Sequence, residues 1–171
     1  MVVKMGMIAC YMEAERDLIE NLRNKSDEDL FDEIEALAEE NMKMYDMDKL
    51  WDGLHFILTG VSATMPVENN LLSEAIVGTA MFSDDEEADF IAYIYPERVS
   101  EILSALNEFD INKALNDFSP RKLAQNGIYP TIWVESEKDE LKGELTEAFN
   151  GLKEFFRNMC IERKGVIVSI Y

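Results

Sequence analysis

The chain has 171 residues, of which 47% are hydrophobic, and its 35 Asp and Glu against 16 Lys and Arg give a formal net charge of −19. This length predicts one domain, residues 1–171, with a core that needs no metal or disulfide. The negative charge and the lack of a basic stripe disfavour binding to nucleic acid or to anionic membranes. A basic protein partner or a small cationic molecule fits the charge, although an acidic surface without any partner has the same composition.

The cysteines and the N-terminal residues indicate the compartment. Cys10 and Cys160 are the only cysteines, and they have apolar neighbours and no CxxC spacing, which predicts two reduced thiols in the core. Residues 1–6 lack the apolar run of a signal peptide, and no run reaches the about 18 residues of a membrane helix. We therefore expect a cytoplasmic protein with no metal and no cofactor. The oligomeric state stays open.

In chain order, hydrophobic spacing predicts strands at residues 7–12, 90–95 and 165–171. The predicted helices cover residues 13–23, a stretch that starts after Ser26, residues 48–60 and 71–77, a stretch that starts at Pro96, and residues 111–118, 120–125 and 136–160. Residues 128–134 are predicted to form a strand or an extended segment, interrupted by Pro130. The last strand is so apolar that we expect it inside a sheet rather than at an edge.

Helix ends and acidic runs are interpreted structurally. Ser26 and Asp48 are predicted to cap the helices that follow them, and Gly60 is expected just past the end of the second. The many acids after Ser26 are interpreted as a solvated helix face rather than a docking face. Residues 84–87 form an acidic turn without the ligand spacing of an EF-hand loop, so a calcium site is not expected.

These elements together predict an α+β fold, in which a small mixed β-sheet is packed by helices in α/β/α layers within a single domain. The cluster Met42, Met44 and Met47 is interpreted as core packing, because methionine commonly fills gaps in a core.

His55 is the only histidine, which restricts the possible chemistry. A serine or cysteine nucleophile has only this imidazole as a base, and no GxGxxG, Walker loop, GxSxG or HExxH spacing is present. Trp51, Leu54, His55 and Leu58 fall on one helical stripe. Two interpretations stay open, a core histidine with its hydrogen bonds satisfied, which is the favoured one, and a histidine that opens onto a pocket.

A candidate pocket can be assembled around this histidine. The turn that contains Thr59 and Gly60 could hold a ligand close to the backbone, and Trp51 and Tyr129 could form its walls, with Pro130 beside Tyr129. The structural alternatives are that the turn only ends the helix and that Trp51 belongs to the core.

Three segments resemble the YfbM-like family of bacterial proteins of unknown function, and the likeness extends over nearly the whole chain. They are Met5-Gly6-Met7-Ile8, the motif Asp48-Lys49-x-Trp51-x-x-Leu54-His55-Phe56-x-Leu58-Thr59-Gly60, and Ile128-Tyr129-Pro130. The central motif is the specific one. The resemblance implies a compact arrangement of helices around a small mixed sheet, and it implies no activity. It also suggests that Met5 is the natural start, with residues 1–4 as an upstream extension.

The family pattern picks out Lys49, Trp51, His55, Thr59 and Gly60. Two functions are compatible with the sequence. The leading hypothesis is a non-catalytic interaction protein with an acidic surface, one version of which neutralises a basic partner. The alternative is a small-molecule-binding protein or enzyme whose candidate pocket consists of these five residues and Tyr129, and it predicts that Trp51, His55, Thr59 and Tyr129 converge on a concave, partly exposed cavity.

Overall fold

In a computed structural model, which describes residues 6–85 and 88–171, the chain forms five strands and eight α-helices. The strands are β1 (Ala9–Ala14), β2 (Met44–Asp48), β3 (Ala80–Met81), β4 (Phe90–Ile94) and β5 (Gly165–Ile170). The helices are α1 (Arg16–Leu22), α2 (Asp27–Glu39), α3 (Trp51–Thr59), α4 (Leu71–Val77), α5 (Pro96–Glu108), α6 (Ile111–Ala114), α7 (Pro120–Gln125) and α8 (Lys138–Glu162). A 3₁₀ turn, Glu135–Glu137, leads into α8.

The sheet has the strand order β2-β1-β5-β4-β3, and all four described strand pairs are antiparallel. The α+β class is confirmed. A mixed sheet was expected, but every described strand pair is antiparallel. The long helix α8 brings the chain back so that β5 enters between β1 and β4 and runs opposite to both. The prediction that the C-terminal strand lies inside the sheet is confirmed.

Side chains alternate between the two faces of the sheet, so the fold has three layers. The larger core lies against α3 to α8 and includes Tyr11, Ile94 and Val168. The smaller core lies against α1 and α2 and includes Met12, Tyr93 and Ile167. The expected α/β/α layering is therefore present, with most of the helices on one side.

Local sequence signals account for several helix ends. The Ser26 hydroxyl accepts a hydrogen bond from the backbone N–H of Asp29 at 3.3 Å, as a capping residue does. Pro96 occupies the first turn of α5, where its missing N–H has no cost. Gly60 ends α3 in the left-handed conformation with φ 85°, which glycine adopts without steric penalty.

Three predictions about local structure were wrong. Asp48 does not cap α3, because it ends β2 in a left-handed conformation and Leu50 stands at the N-cap. The methionines of the cluster were expected to pack in the core. Met44 and Met47 instead lie on strand β2, where Met47 is buried but Met44 is 41% exposed. Residues 128–134 are not a strand, since two short-range hydrogen bonds, from Ile132 N–H to the Pro130 carbonyl and from Val134 N–H to the Ile132 carbonyl, turn the chain.

Residues 1–4, the suggested extension, and two residues of the acidic run at 84–87 lie outside the described residues. Within residues 6–85 and 88–171, no helix is long and apolar enough to cross a membrane. Cys10 is buried, Cys160 is half-buried, and both thiols are free.

Candidate functional site

The helix α3 carries the central motif and is buried on nearly every side. Residues 51–58 are all buried except Ile57, which is half-buried. Trp51 is fully buried, donates its indole N–H to the Met7 carbonyl at 3.2 Å, and stacks on Tyr129 with ring centroids 5.5 Å apart. A helix with apolar side chains all round packs inside a protein rather than on its surface, so the motif first of all describes a core helix.

His55 has no solvent-exposed surface and is held by hydrogen bonds at both ring nitrogens. Its Nδ1 lies 2.8 Å from the Val61 carbonyl and its Nε2 lies 2.7 Å from the Ser73 hydroxyl oxygen. A carbonyl only accepts, so Nδ1 carries the proton and Nε2 accepts from Ser73. The Ser73 hydroxyl in turn accepts from the backbone N–H of Val67 at 3.0 Å. Burial lowers the pKa of His55, so the neutral ring is the stable form in the fold.

The turn after α3 is fixed by the same network. The Thr59 hydroxyl donates to the His55 carbonyl at 2.8 Å and accepts from the Val61 backbone N–H at 3.3 Å. Its oxygen also lies 3.2 Å from the imidazole Nδ1. Thr59 and Gly60 therefore shape a turn whose carbonyl group orients the histidine.

Asp52 is a buried carboxylate that the sequence interpretation did not single out. One oxygen accepts from the Ser62 hydroxyl at 2.9 Å and from the Ala63 N–H at 2.7 Å, and the other accepts from the Tyr129 N–H at 2.8 Å. It ties together α3, the turn after it and the segment 127–131. A signal was available, because a carboxylate inside an otherwise apolar helix has to be buried with its hydrogen bonds satisfied.

Among the four cavities described for residues 6–85 and 88–171, none brings together the six residues of the candidate pocket. His55 and Thr59 belong to the buried network, Trp51 stacks on Tyr129, and Gly60 ends the helix. None of the four cavities described for residues 6–85 and 88–171 is lined by Trp51, His55, Thr59 or Gly60. Lys49 and Tyr129 line two separate cavities on the surface.

Lys49 lies in a groove of about 560 Å³ between β2, the turn into α3, the segment around Pro130, and α8. We call it the acidic groove. Its charged side chains are Asp46, Asp48, Lys49, Glu144 and Glu147, and its apolar ones include Leu50, Pro130 and Ile132. The sequence interpretation did not group the four acids and named only Asp48, as a helix cap and motif residue, because β2 was not predicted and Glu144 and Glu147 lie far away in the chain.

The carboxylates of the acidic groove lack cationic partners. All four are exposed, and none of them, nor Lys49, forms an ion pair with any described residue. The pKa of Glu144 is raised, first by partial burial of its carboxylate and then by the negative charges of Glu140, Glu137, Glu147 and Asp48. The groove therefore holds negative charge that repels itself.

Several other acids in the described chain have a cationic partner. On α8 itself, away from the groove, Glu154 pairs with Arg157 and Glu162 pairs with Lys43. In the described part of the chain, the groove included, no three acidic, histidine or cysteine side chains are placed so as to hold a metal ion. This arrangement suits an extended cationic ligand better than a single ion.

A second groove, of about 580 Å³, lies between α4 and the edge strand β3. Arg98 crosses it and donates two hydrogen bonds of 2.7 Å to the buried carboxylate of Glu74, which also accepts from Thr79. This ion pair raises the pKa of Arg98. Ser73, the partner of His55, lines the same groove. Val67, whose N–H donates to Ser73, lines it as well.

Comparison with known proteins shows similarity over most of the chain. The sequence profile described as "Domain of unknown function (DUF1877)" matches residues 5–169. Protein YfbM of Escherichia coli (strain K12) is 31% identical over 141 residues, which are 82% of this chain and 81% of YfbM. A solved structure, "The Crystal Structure of a Protein of Unknown Function YfbM from Escherichia coli", matches with a TM-score of 0.79 and 26% identity, and covers 96% of this chain and 99% of that chain.

Proposed function

The chain belongs to the YfbM-like family, a domain of unknown function (DUF1877), and since the family assigns no activity, we propose that this chain is a cytoplasmic, non-catalytic binding protein. In this proposal the acidic groove takes a basic, extended segment of a partner protein. Nucleic acid is not the partner, because the net charge of −19 repels phosphate.

One observation carries the proposal: four carboxylates that have no cationic partner among the described residues line a groove with exposed apolar surface. Asp46 and Asp48 approach from one wall, and Glu144 and Glu147 approach from α8. Ile132, at the same groove, leaves 36% of its surface exposed to water. Basic side chains would relieve the repulsion around Glu144, and the partner's apolar atoms would cover Ile132.

Charge and shape have different roles in this binding. The overall negative charge would speed the encounter with a basic protein, and this effect falls as salt screens it. Charge alone does not select a site, because α2 carries many solvated acids outside the acidic groove. The concave groove therefore supplies the specificity and the rest of the surface supplies the steering.

The test is capture of a partner from a lysate of the host at low and moderate salt, with two charge-reversed baits. Glu144→Lys with Glu147→Lys reverses the groove, and Asp32→Lys with Glu35→Lys reverses α2 and changes the net charge equally. The wild type and the α2 variant should retain the same partner, whereas the groove variant should lose it. Equal loss from both variants, or no captured partner at either salt concentration, would contradict the proposal.

A second candidate function, small-molecule binding, is favoured by the position of Ser73. This side chain hydrogen-bonds to His55 and also lines the groove that contains Arg98 and Glu74. A ligand in this groove would contact the buried network through Ser73 rather than through the imidazole itself. This differs from the pocket expected from the sequence, which placed the histidine at the cavity wall.

A thermal-shift screen against metabolites tests this second function, because a ligand that binds only the folded state raises the melting temperature. Arg98→Ala should abolish any shift that arises from this groove, and Arg157→Ala, an exposed arginine on α8, is the control. A shift that survives Arg98→Ala does not come from this site.

A further inference from the structure

A pocket beside the acidic groove has a different chemical character. It has a volume of about 460 Å³ and lies between α7 and the segment 127–134. We call it the aromatic pocket. It is lined by Ala124, Gly127, Ile128, Tyr129, Trp133 and Val134, together with Thr131, and so by no charged side chain. In a chain with 30% charged residues, such a lining favours an apolar group.

The walls of the aromatic pocket are held in place from inside the protein. Trp133 donates its indole N–H to the Ile128 carbonyl at 2.8 Å. Tyr129 stacks on the buried ring of Trp51, and its backbone N–H donates to Asp52. A pocket whose walls are already ordered costs little conformational entropy when a ligand enters.

The aromatic pocket and the acidic groove share one segment of chain. Tyr129, Thr131 and Trp133 line the pocket, whereas the alternate residues Pro130 and Ile132 line the groove. The two cavities are therefore lined by neighbouring residues of the same segment. A peptide that crosses this segment could place one side chain in each.

We propose that the aromatic pocket receives an aromatic or long aliphatic side chain of the same basic segment that the acidic groove binds. This inference rests on the proposed function and specifies the partner, which is a Lys- and Arg-rich stretch that contains one large apolar residue. The charge of the groove selects a basic partner over a second copy of this chain, because two copies that each carry −19 repel each other.

The test compares three synthetic pentapeptides by calorimetric titration at low salt. They are four lysines around a central tryptophan, four lysines around a central alanine, and four serines around a central tryptophan. The lysine peptide with tryptophan should bind about tenfold more tightly than the one with alanine, since the indole becomes buried. The serine peptide should bind more weakly than either.

Variants locate the effect. Ala124→Phe fills the aromatic pocket and should remove the advantage of tryptophan while the alanine peptide still binds. Gln125→Phe adds the same ring to the neighbouring exposed position and should leave the advantage intact. Val134→Ser repeats the test with a smaller change to the wall of the pocket.

The unfavourable outcomes separate the two proposals. Equal binding of the two lysine peptides would overturn the aromatic pocket inference and leave the acidic groove proposal standing. Absence of binding by both lysine peptides would overturn the acidic groove proposal and this inference with it. Binding of the serine peptide as tightly as the lysine peptide with tryptophan would show an apolar site without any preference for a basic partner, which would also overturn the inference.

Discussion

The polar groups of the acidic groove differ from those of the network around α3 in their burial and in their partners. In the network, Asp52 and His55 are buried and each hydrogen-bonding atom has a partner within 3 Å. In the groove, four carboxylates are exposed and have no cationic partner among the described residues, and only Asp46 accepts a hydrogen bond, from the Asp48 N–H at 2.7 Å. Buried satisfied groups stabilise one conformation, whereas crowded unpaired charges are available to a ligand.

This difference changes the meaning of the family motif. Its residues join α3 to Met7, to the turn after the helix, to α4 through Ser73, and to the segment at Tyr129. The motif therefore marks how the fold is assembled. The acidic groove, which we propose as the binding surface, takes Asp46, Glu144 and Glu147 from outside that motif. Of its charged residues, only Asp48 and Lys49 belong to the motif as well.

The largest expected effect of a single substitution is at Asp52. Asp52→Ala leaves three donors without their acceptor inside the protein, so the free energy of unfolding should fall by about 3 kcal/mol. Urea denaturation measures it. Asp32→Ala, at an exposed carboxylate on α2, should change stability by less than about 0.5 kcal/mol. If the two variants were equally stable, the buried network would not be the structural centre that we describe.

The packing of α3 can be tested with glycine pairs. A Cβ atom at Gly53 would overlap the ring of Trp133, so Gly53→Ala should cost about 2 kcal/mol of stability. Gly143 is also inside a helix, but apart from its chain neighbours and the backbone of its own helix, no described atom lies within 4 Å of its Cβ position. Gly143→Ala should therefore raise stability by about 0.5–1 kcal/mol. If thermal unfolding showed that both substitutions raise stability, or that both lower it, this prediction would be contradicted.

His55 should make part of the stability depend on pH. Its pKa is lowered in the fold from the ordinary value of 6.5, so on acidification the unfolded chain takes up the proton first. Its contribution is complete above that ordinary value and decreases as the pH falls towards the folded pKa. The stability difference between the wild type and His55→Gln should shrink by about 1 kcal/mol between pH 7.5 and pH 5. A constant difference would mean that the imidazole is not buried in its neutral form.

The smallest expected effect belongs to the groove. Glu144→Gln removes one of several repelling charges, including Glu140 one helical turn away, and should raise stability by about 0.3 kcal/mol at low salt. Glu154→Gln on the same helix breaks the pair with Arg157 and should lower stability slightly. Calorimetry at two salt concentrations measures both. A loss of stability in Glu144→Gln would show that this carboxylate has a partner in the fold.

Much of the fold could be predicted because its signals are local. The central position of β5 follows from its continuous apolar residues, and α5 begins where Pro96 fits a first helical turn. In contrast, β2 alternates acids with larger side chains over only five residues, so it has the composition of a surface loop. The antiparallel direction of the sheet depends on how α8 returns the chain, which no short segment records.

The candidate site was predictable only in part, for the same reason. The preference for a core His55 followed from its place on an apolar stripe, and its partner Ser73 had no signal because it belongs to a different helix. The acidic groove needs β2 and α8 to be adjacent, and four acids cannot be chosen from 35 without that knowledge. Contacts between distant segments are the information that the sequence pattern lacks.

The most direct test of the acidic groove is to map where a basic ligand binds. Amide spectra of the labelled protein can be recorded during titration with the pentapeptide of four lysines around alanine, at low salt and then at moderate salt. We predict that the shifts concentrate at residues 46–50, 131–132 and 144–148 and weaken with salt. Shifts centred on α2, which carries more acids than the groove, would contradict the claim that the groove binds the partner.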